Sequence, residues 1–334
     1  MTAQAPETPA SLSFWARRKA RAKAKARAVP FNRRVRGKDY LWVYAFLAPF
    51  AILYIGFTVW PLFATIIYSF FEWDGVKPLE DFVGLENFVT IAQDPLFWLS
   101  FRNTVVFAVI NTLIKVPLSL IAAIVLTRKW LSGKRIFRTV FFAPLVIPVA
   151  MAGLIFQILL HPANGAVNDV LLSLGLVNQP IDFLGDERLA LLSLILVSVW
   201  QIFGQYMIYW MAALQNVPEI LYEAAELDGA NESQKLWYVT LPVIRPVAII
   251  IIFLAFVNAL RVFGLVVTMT GGGPGFQTYV VPYFIYTQAL VDFPFRYGYA
   301  SAAAVLFGLT ILVAVTIQGW FVNRADQDRR DYGV

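Results

Sequence analysis

Gln201 and Gln205 stand four residues apart in an apolar stretch, so on a helix they share one face, close to Trp200, Tyr206 and Tyr209. Amides beside aromatic rings suit a sugar, whose hydroxyls bond to the amides while its apolar ring face lies on the aromatics. Asn258 and Arg261 are three apart in a second apolar stretch, and Asn111 and Lys115 four apart in a third. Polar side chains are expensive in a membrane, so each marks a candidate substrate path. Alternatively, these amides and cations satisfy one another or bridge helices, as buried polar groups in bundles do. The two cations would also suit an anionic cargo such as a sugar acid or a sugar phosphate.

No other reaction chemistry is legible. No Gly-x-x-x-x-Gly-Lys-Ser/Thr sequence occurs, and Gly271-Gly272-Gly273-Pro274-Gly275 has no lysine to meet phosphates, so that run reads as a loop. Cysteine is absent, which excludes a disulfide framework and a thiolate metal site. The single histidine, His161, ends an apolar run and reads as an interfacial residue. The chain is therefore expected to be no enzyme, with no metal and no cofactor of its own.

The elements that must position these residues are membrane helices. Of 334 residues, 59% are hydrophobic and 14% charged, against roughly half and about a quarter in soluble domains. Six apolar segments fall near 42–70, 102–126, 138–160, 189–213, 243–268 and 300–322, each reaching the roughly 20 residues a helix needs to cross a bilayer. The expected fold is all-α with six spans, the first kinked or ended by Pro61. Residues 39–323 form the membrane domain, between a basic tail at 1–38 and a short tail at 324–334. In the first tail eleven basic residues from Arg17 to Lys38 oppose only Glu7. Beside a membrane span such a cluster touches anionic lipid and holds the terminus inside, and no nucleic-acid partner is expected.

Charge bias orients the spans. The connection at 127–137 carries Arg128, Lys129, Lys134 and Arg135 without an acid, whereas 71–101 has six acids and only Lys77. The first is expected inside and the second outside, which puts both termini in the cytoplasm. Residues 214–242 then also lie inside, although five acids there face only Lys235. That acidity points to a purpose other than topology.

Within this connection Asn216 is expected to cap a helix from 217 to about 227, with Pro218 in its first turn and Glu219 as the capping-box partner. Gly229 then supplies a left-handed stop, and Asn231 caps a second turn of Glu232, Ser233, Gln234 and Lys235. Such a pair of short helices presents Ala224 and Ala225 as a smooth surface beside Glu223 and Glu226.

Glu223-Ala-Ala-x-x-Asp228-Gly229-Ala230, followed by Leu241-Pro242, resembles the cytoplasmic motif of permease subunits from binding-protein-dependent ABC importers. Phe82-Val83-Gly84-Leu85-Glu86-Asn87-Phe88, Thr270 with Gly272-Gly273-Pro274, and Gly298-Tyr299-Ala300-Ser301-Ala302 are similar to the carbohydrate-type branch, which includes maltose-like and glycerol-phosphate permeases. The resemblance covers roughly residues 40–322. It implies that Glu223, Ala224, Ala225, Asp228, Gly229 and Ala230 form a coupling helix seated in a cleft of a cytoplasmic ATPase subunit. It also implies a second permease subunit, two ATPase subunits that hold ATP and Mg, an extracytoplasmic solute-binding protein, and location in a bacterial plasma membrane. In this branch the fourth and fifth spans line the substrate cavity, which by position favours Gln201, Gln205 and Asn258. The expected function is inward transport of a sugar or polyol. The alternatives are another solute, such as a sugar phosphate, sugar acid or peptide, or a secondary transporter. The last would be expected to show an intramembrane acid or an inverted repeat, and no Asp or Glu lies within the six segments.

Overall fold

The computed structural model describes residues 37–128 and 131–331. The basic tail up to residue 36 and Lys129 lie outside the described residues. Among those described, every regular element is helical, and one antiparallel bridge joins Phe71 to Phe82.

The chain divides into two compact units, residues 1–61 and 62–334. In the first, α1 (Gly37–Tyr54) runs into a π-helical turn at Ile55–Val59. The helix resumes as α2 (Trp60–Tyr68), so Pro61 does not end it. A proline lacks its own N–H and crowds the carbonyl four residues back. That residue is Phe57, which lies inside the widened turn.

The second unit continues with α3 (Glu86–Gln93), α4 (Pro95–Thr127), α5 (Lys134–Val146), α6 (Val149–Leu159), α7 (Ala166–Ser173) and α8 (Ala190–Gln215). Then come α9 (Glu219–Leu227), α10 (Glu232–Gln234), a second π-helical turn at Lys235–Thr240, α11 (Leu241–Leu260), α12 (Gly264–Met269), α13 (Val281–Leu290) and α14 (Tyr297–Asp331). Five of the helical stretches are long and apolar enough to cross a membrane, and α5 with α6 makes a sixth if that bent pair counts as one span.

Four segments differ from expectation. The second starts at Pro95 rather than 102, because the Asp94 carboxylate accepts the Leu96 N–H at 2.7 Å and Pro95 fits the first turn. The third is not one helix: α5 and α6 meet at 98°. Pro148 disfavours a helical conformation at Ile147, whose ψ is 125°. The fifth stops at Leu260 and restarts at Gly264, which places Arg261 at the helix end rather than on a continued face with Asn258. The sixth runs on as helix to Asp331, through the expected terminal tail.

α4 and α8 form the central pair, with α11 against α4, α14 against α11 and α5 against α8. The buried face of α4 is unusual: Ser100, Asn103, Thr104, Asn111, Thr112, Lys115 and Ser119 repeat at helical spacing and are all buried, while Leu113, Leu118 and Ile121 face outward. With lipid outside, the polar side turns in. Ser100, Thr104 and Ser119 bond to carbonyls of their own helix, and Asn103 donates to the Phe276 and Tyr279 carbonyls at 3.0 Å each.

The short helix α12 lies against α6. A Cβ on Gly153 would collide with the Thr268 side chain. Gly153→Leu should therefore force the two helices apart, at a cost of about 1–3 kcal/mol. Thermal unfolding of the detergent-solubilised chain should show a lowered midpoint, with Gly153→Ala between the two; an unchanged midpoint would mean that the helices do not pack this closely.

Candidate functional site

The two helix breaks face one another, and a cavity of about 180 Å³ lies between them. Lys115 from α4, Ser198 and Gln201 from α8, and Asn258 and Arg261 from the end of α11 supply its polar lining. Lys115 and Gln201 are buried, whereas Asn258 and Arg261 are exposed and form its mouth. Tyr206 adjoins: its hydroxyl accepts from Asn258 Nδ2 at 2.9 Å, and its ring centre lies 4.6 Å from Lys115 Nζ. Gln201 donates from Nε2 to the Ile147 carbonyl at 3.0 Å, closing the backbone at the α5–α6 break, and its Oε1 has no partner among the described residues.

Of the seven substrate-path residues singled out in the sequence, four line this cavity and Tyr206 touches it. Gln205 does not: it is half-buried and donates to the Tyr209 hydroxyl at 2.7 Å. Asn111 is buried away from the lining and donates to the Ile195 carbonyl at 3.4 Å. Trp200 lies edge-on to Phe156 at 5.0 Å, in the wall of a larger apolar groove. The expected surface of two amides with three aromatics is thus not assembled. What the sequence missed is Ser198 and the cavity itself, since in the run from Ala255 to Met269 the only sign of the break at Arg261 is the single Gly264.

At another place in the unit stands the polar island. α9 begins at Glu219, two residues later than expected, and Asn216 ends α8 instead of capping α9, its N–H bonding to the Ala213 carbonyl at 3.2 Å. Pro218 occupies the cap position without a side-chain bond, so the expected capping box with Glu219 is not made. The stop is as expected. Gly229 has φ +77°, and the Gly229 and Ala230 N–H groups bond back to Glu226 and Ala225 at 3.0 and 2.9 Å. Asn231 then makes a full capping box with Gln234, at 2.9 and 2.8 Å.

Tyr222 and Thr240 share a hydrogen bond of 2.9 Å, which ties α9 to the π-helical turn. Lys235 Nζ reaches Glu226 at 2.7 Å and Glu232 at 2.8 Å, while Arg128 pairs with Glu232. These acids are well exposed, so each pair is worth at most about 1 kcal/mol. The Arg128 contact brings the 127–137 connection and the island to one end of the bundle, as their common assignment to one membrane side requires. Glu223, Ala224 and Asp228 are exposed, and Leu227 is 90% exposed.

The remaining motifs gather around another set of loops. Asn87 Nδ2 donates to the Ser69 and Phe71 carbonyls at 3.0 and 2.9 Å. The Gly298 N–H bonds the Trp73 carbonyl at 3.0 Å, Tyr299 donates to Asp94, and Arg296 lies 3.9 Å over the Tyr299 ring. The Lys77 and Val76 N–H groups, at 2.9 and 3.0 Å, hold the Asp74 carboxyl below its ordinary range. Thr278 Oγ1 donates to the Gly273 carbonyl at 2.6 Å and closes the glycine loop. Burial raises the nearby Tyr279 hydroxyl above its usual value.

A bundle of apolar helices that turns its polar residues inward on a small cavity and shows an exposed helical pair to the solvent is a membrane transport subunit. The chain belongs to the family described as binding-protein-dependent transport system inner membrane component, which matches residues 115–327. It is 35% identical over 278 residues to the probable ABC transporter permease protein YurN of Bacillus subtilis, covering 82% of this chain and 91% of that one. It is 30% identical over 272 residues to the lactose transport system permease protein LacF of Rhizobium radiobacter, covering 81% and 89%. Among solved structures, a subunit of a bacterial ABC transporter involved in the import of the acidic polysaccharide alginate superposes with a TM-score of 0.75 at 25% identity, covering 86% of this chain and 96% of that one.

Gln201 is the residue on which both the cavity wall and the α5–α6 break depend. Gln201→Leu leaves the Ile147 carbonyl without its partner, a loss of about 1–3 kcal/mol. The expected result is a lowered unfolding midpoint in detergent, while Gln205→Leu, whose amide meets only Tyr209, shifts it less; equal shifts would remove Gln201 from that role.

Proposed function

We propose that this chain is a six-span permease subunit of a bacterial importer that carries a sugar or related polyol inward. It pairs with a second, similar permease subunit. Both termini and the island face the cytoplasm, α5 and α6 together make the third span, and a solute-binding protein delivers the cargo from outside. ATP hydrolysis, with its Mg, resides on two separate ATPase subunits. Glu223, Ala224, Ala225, Asp228, Gly229 and Ala230 form the surface that enters the ATPase cleft.

The observation that carries this reading is the island. α9 has no buried residue, yet it is held at its C-terminal end by the Gly229 stop and along its length by Tyr222 on Thr240. A helix so exposed gains little from its own fold, so its precise placement is explained by a partner. The carbohydrate cargo is supported by the lactose and alginate relatives. Those two transport systems handle a neutral and an acidic saccharide, so kinship leaves the charge of the cargo to this chain's own residues.

Gly229 separates coupling from folding. A Cβ there would meet nothing within 4 Å, so only its positive φ excludes other residues, at about 1–2 kcal/mol for a residue with a side chain. In proteoliposomes of the whole importer, Gly229→Val should insert normally and retain ATP hydrolysis but lose most uptake, whereas Gly229→Asn, which tolerates this conformation, should keep it. Full uptake by the valine variant would remove the island from its coupling role.

A further inference from the structure

Lys115 is 1% exposed and is among the largest fully buried side chains of the described residues. Neither it nor Arg261 forms an ion pair with an acid among the described residues, and no Asp or Glu lines the cavity. The Tyr206 ring at 4.6 Å offsets only part of the cost of a buried charge. Arg261 sits at the carbonyl end of α11, where a cation is favoured, and is an exposed residue of the cavity lining. Two positive charges therefore converge on one space with nothing of opposite sign to meet them.

A second, independent feature lies in the same wall. Gln201 is 3% exposed, its Nε2 is committed to Ile147, and its Oε1 is an acceptor without a donor among the described residues. A buried acceptor left unpaired is costly, and so is a buried unpaired cation. One ligand satisfies both if it carries an oxyanion for Lys115 and Arg261 and a hydroxyl that donates to Gln201. The volume, about 180 Å³, lies below the roughly 300 Å³ at which drug-sized pockets begin, so the cavity takes one sugar unit or the charged end of a longer chain.

We propose that this cavity is a specificity site for a polyhydroxylated oxyanion, a sugar acid or sugar phosphate, held by Lys115 and Arg261 through its charged group and by Gln201 through a hydroxyl. It rests on the importer reading and narrows its cargo from sugars in general to anionic ones. Lys115 forms the floor, with Tyr206 fixed under it by Asn258, and Arg261 meets the ligand at the mouth.

The test uses proteoliposomes of the complete importer with its partner permease, ATPase subunits and binding protein. ATP-driven uptake is measured for glucuronate, glucose 6-phosphate, glucose and lactose. One of the two anions should enter at least about tenfold faster than either neutral sugar, and which one does so distinguishes a carboxylate from a phosphate. Lys115→Met and Arg261→Gln should each reduce that uptake by about tenfold or more, whereas Lys115→Arg, which keeps the charge, should retain most of it. Arg261 is exposed, so its variant carries the test even if Lys115→Met fails to assemble. Preferred uptake of glucose or lactose at a rate that neither variant changes overturns the anion site and leaves the importer standing. Absence of ATP-driven uptake of all four overturns both.

Discussion

Inside a bilayer no water is available to a broken helix, so each backbone group freed by a break must find its partner within the protein. Two breaks of this kind organise the second unit. At the first, Ile147 leaves the helix ahead of Pro148 and its carbonyl is met by the Gln201 amide at 3.0 Å. At the second, α11 ends in a tight turn, with the Arg261 and Val262 N–H groups bonding the Asn258 and Ala259 carbonyls at 3.3 and 3.2 Å. The chain restarts as α12, whose first N–H bond to the preceding residue's carbonyl is Val267 to Phe263 at 3.1 Å. The restarted helices, α6 and α12, pack on each other at Gly153. The cavity is the space these two satisfied breaks enclose, which is why both contribute to its wall.

The polar face of α4 follows from the same constraint. A soluble helix buries its apolar side; here lipid takes the apolar side, and the interior is left to side chains that bond to carbonyls. Most of them have a partner within reach: Ser100, Thr104 and Ser119 on their own helix, Asn103 on the loop before α13. Such bonds in membrane bundles contribute only about 0.6 kcal/mol on average, so this is a way of avoiding penalties more than a source of stability. Thr112 Oγ1 has no partner among the described residues either, and Lys115 stands out as the charged member of the face that no carbonyl or acid there answers.

Where local chemistry decides the backbone, the sequence is legible. Gly229 and Asn231 read as stop and cap because their geometry depends on the residue itself, on the missing Cβ of one and the side-chain oxygen of the other, and both adopt it. Asn216 has equally good cap chemistry but sits at the end of α8, since the long helix carries on until Gln215 and takes the asparagine as its own terminus. The apolar spans follow from length and composition. The breaks do not: Pro148 signals one, but Arg261 to Phe263 contains neither proline nor glycine, and only the packing of α12 on α6 turns the chain there. Because the cavity is made of breaks, its location was legible only through the cost of its polar residues. That signal found Lys115, Gln201, Asn258 and Arg261, and it also returned Gln205 and Asn111, which donate to Tyr209 and to the Ile195 carbonyl outside the cavity lining.

The island and the cavity lie at opposite ends of one element. α11 starts at Leu241, directly after the π-helical turn that carries Lys235 and Thr240, and ends at Leu260 with Asn258 and Arg261 at the cavity mouth. Twenty residues of helix span about 30 Å, close to the thickness of a bilayer core. α11, which contains Pro246, is therefore the route that connects the island to the mouth of the cavity. The π-helical turn at its base, held by Thr240 Oγ1 donating to the Lys235 carbonyl at 3.2 Å and by Tyr222, is the least regular step on that route. Lys115 rides on α4 and Gln201 on α8, which are packed on each other. A stroke along α11 would thus move Asn258 and Arg261 against a floor that stays with the central pair, opening or closing the charged cavity without unmaking either break.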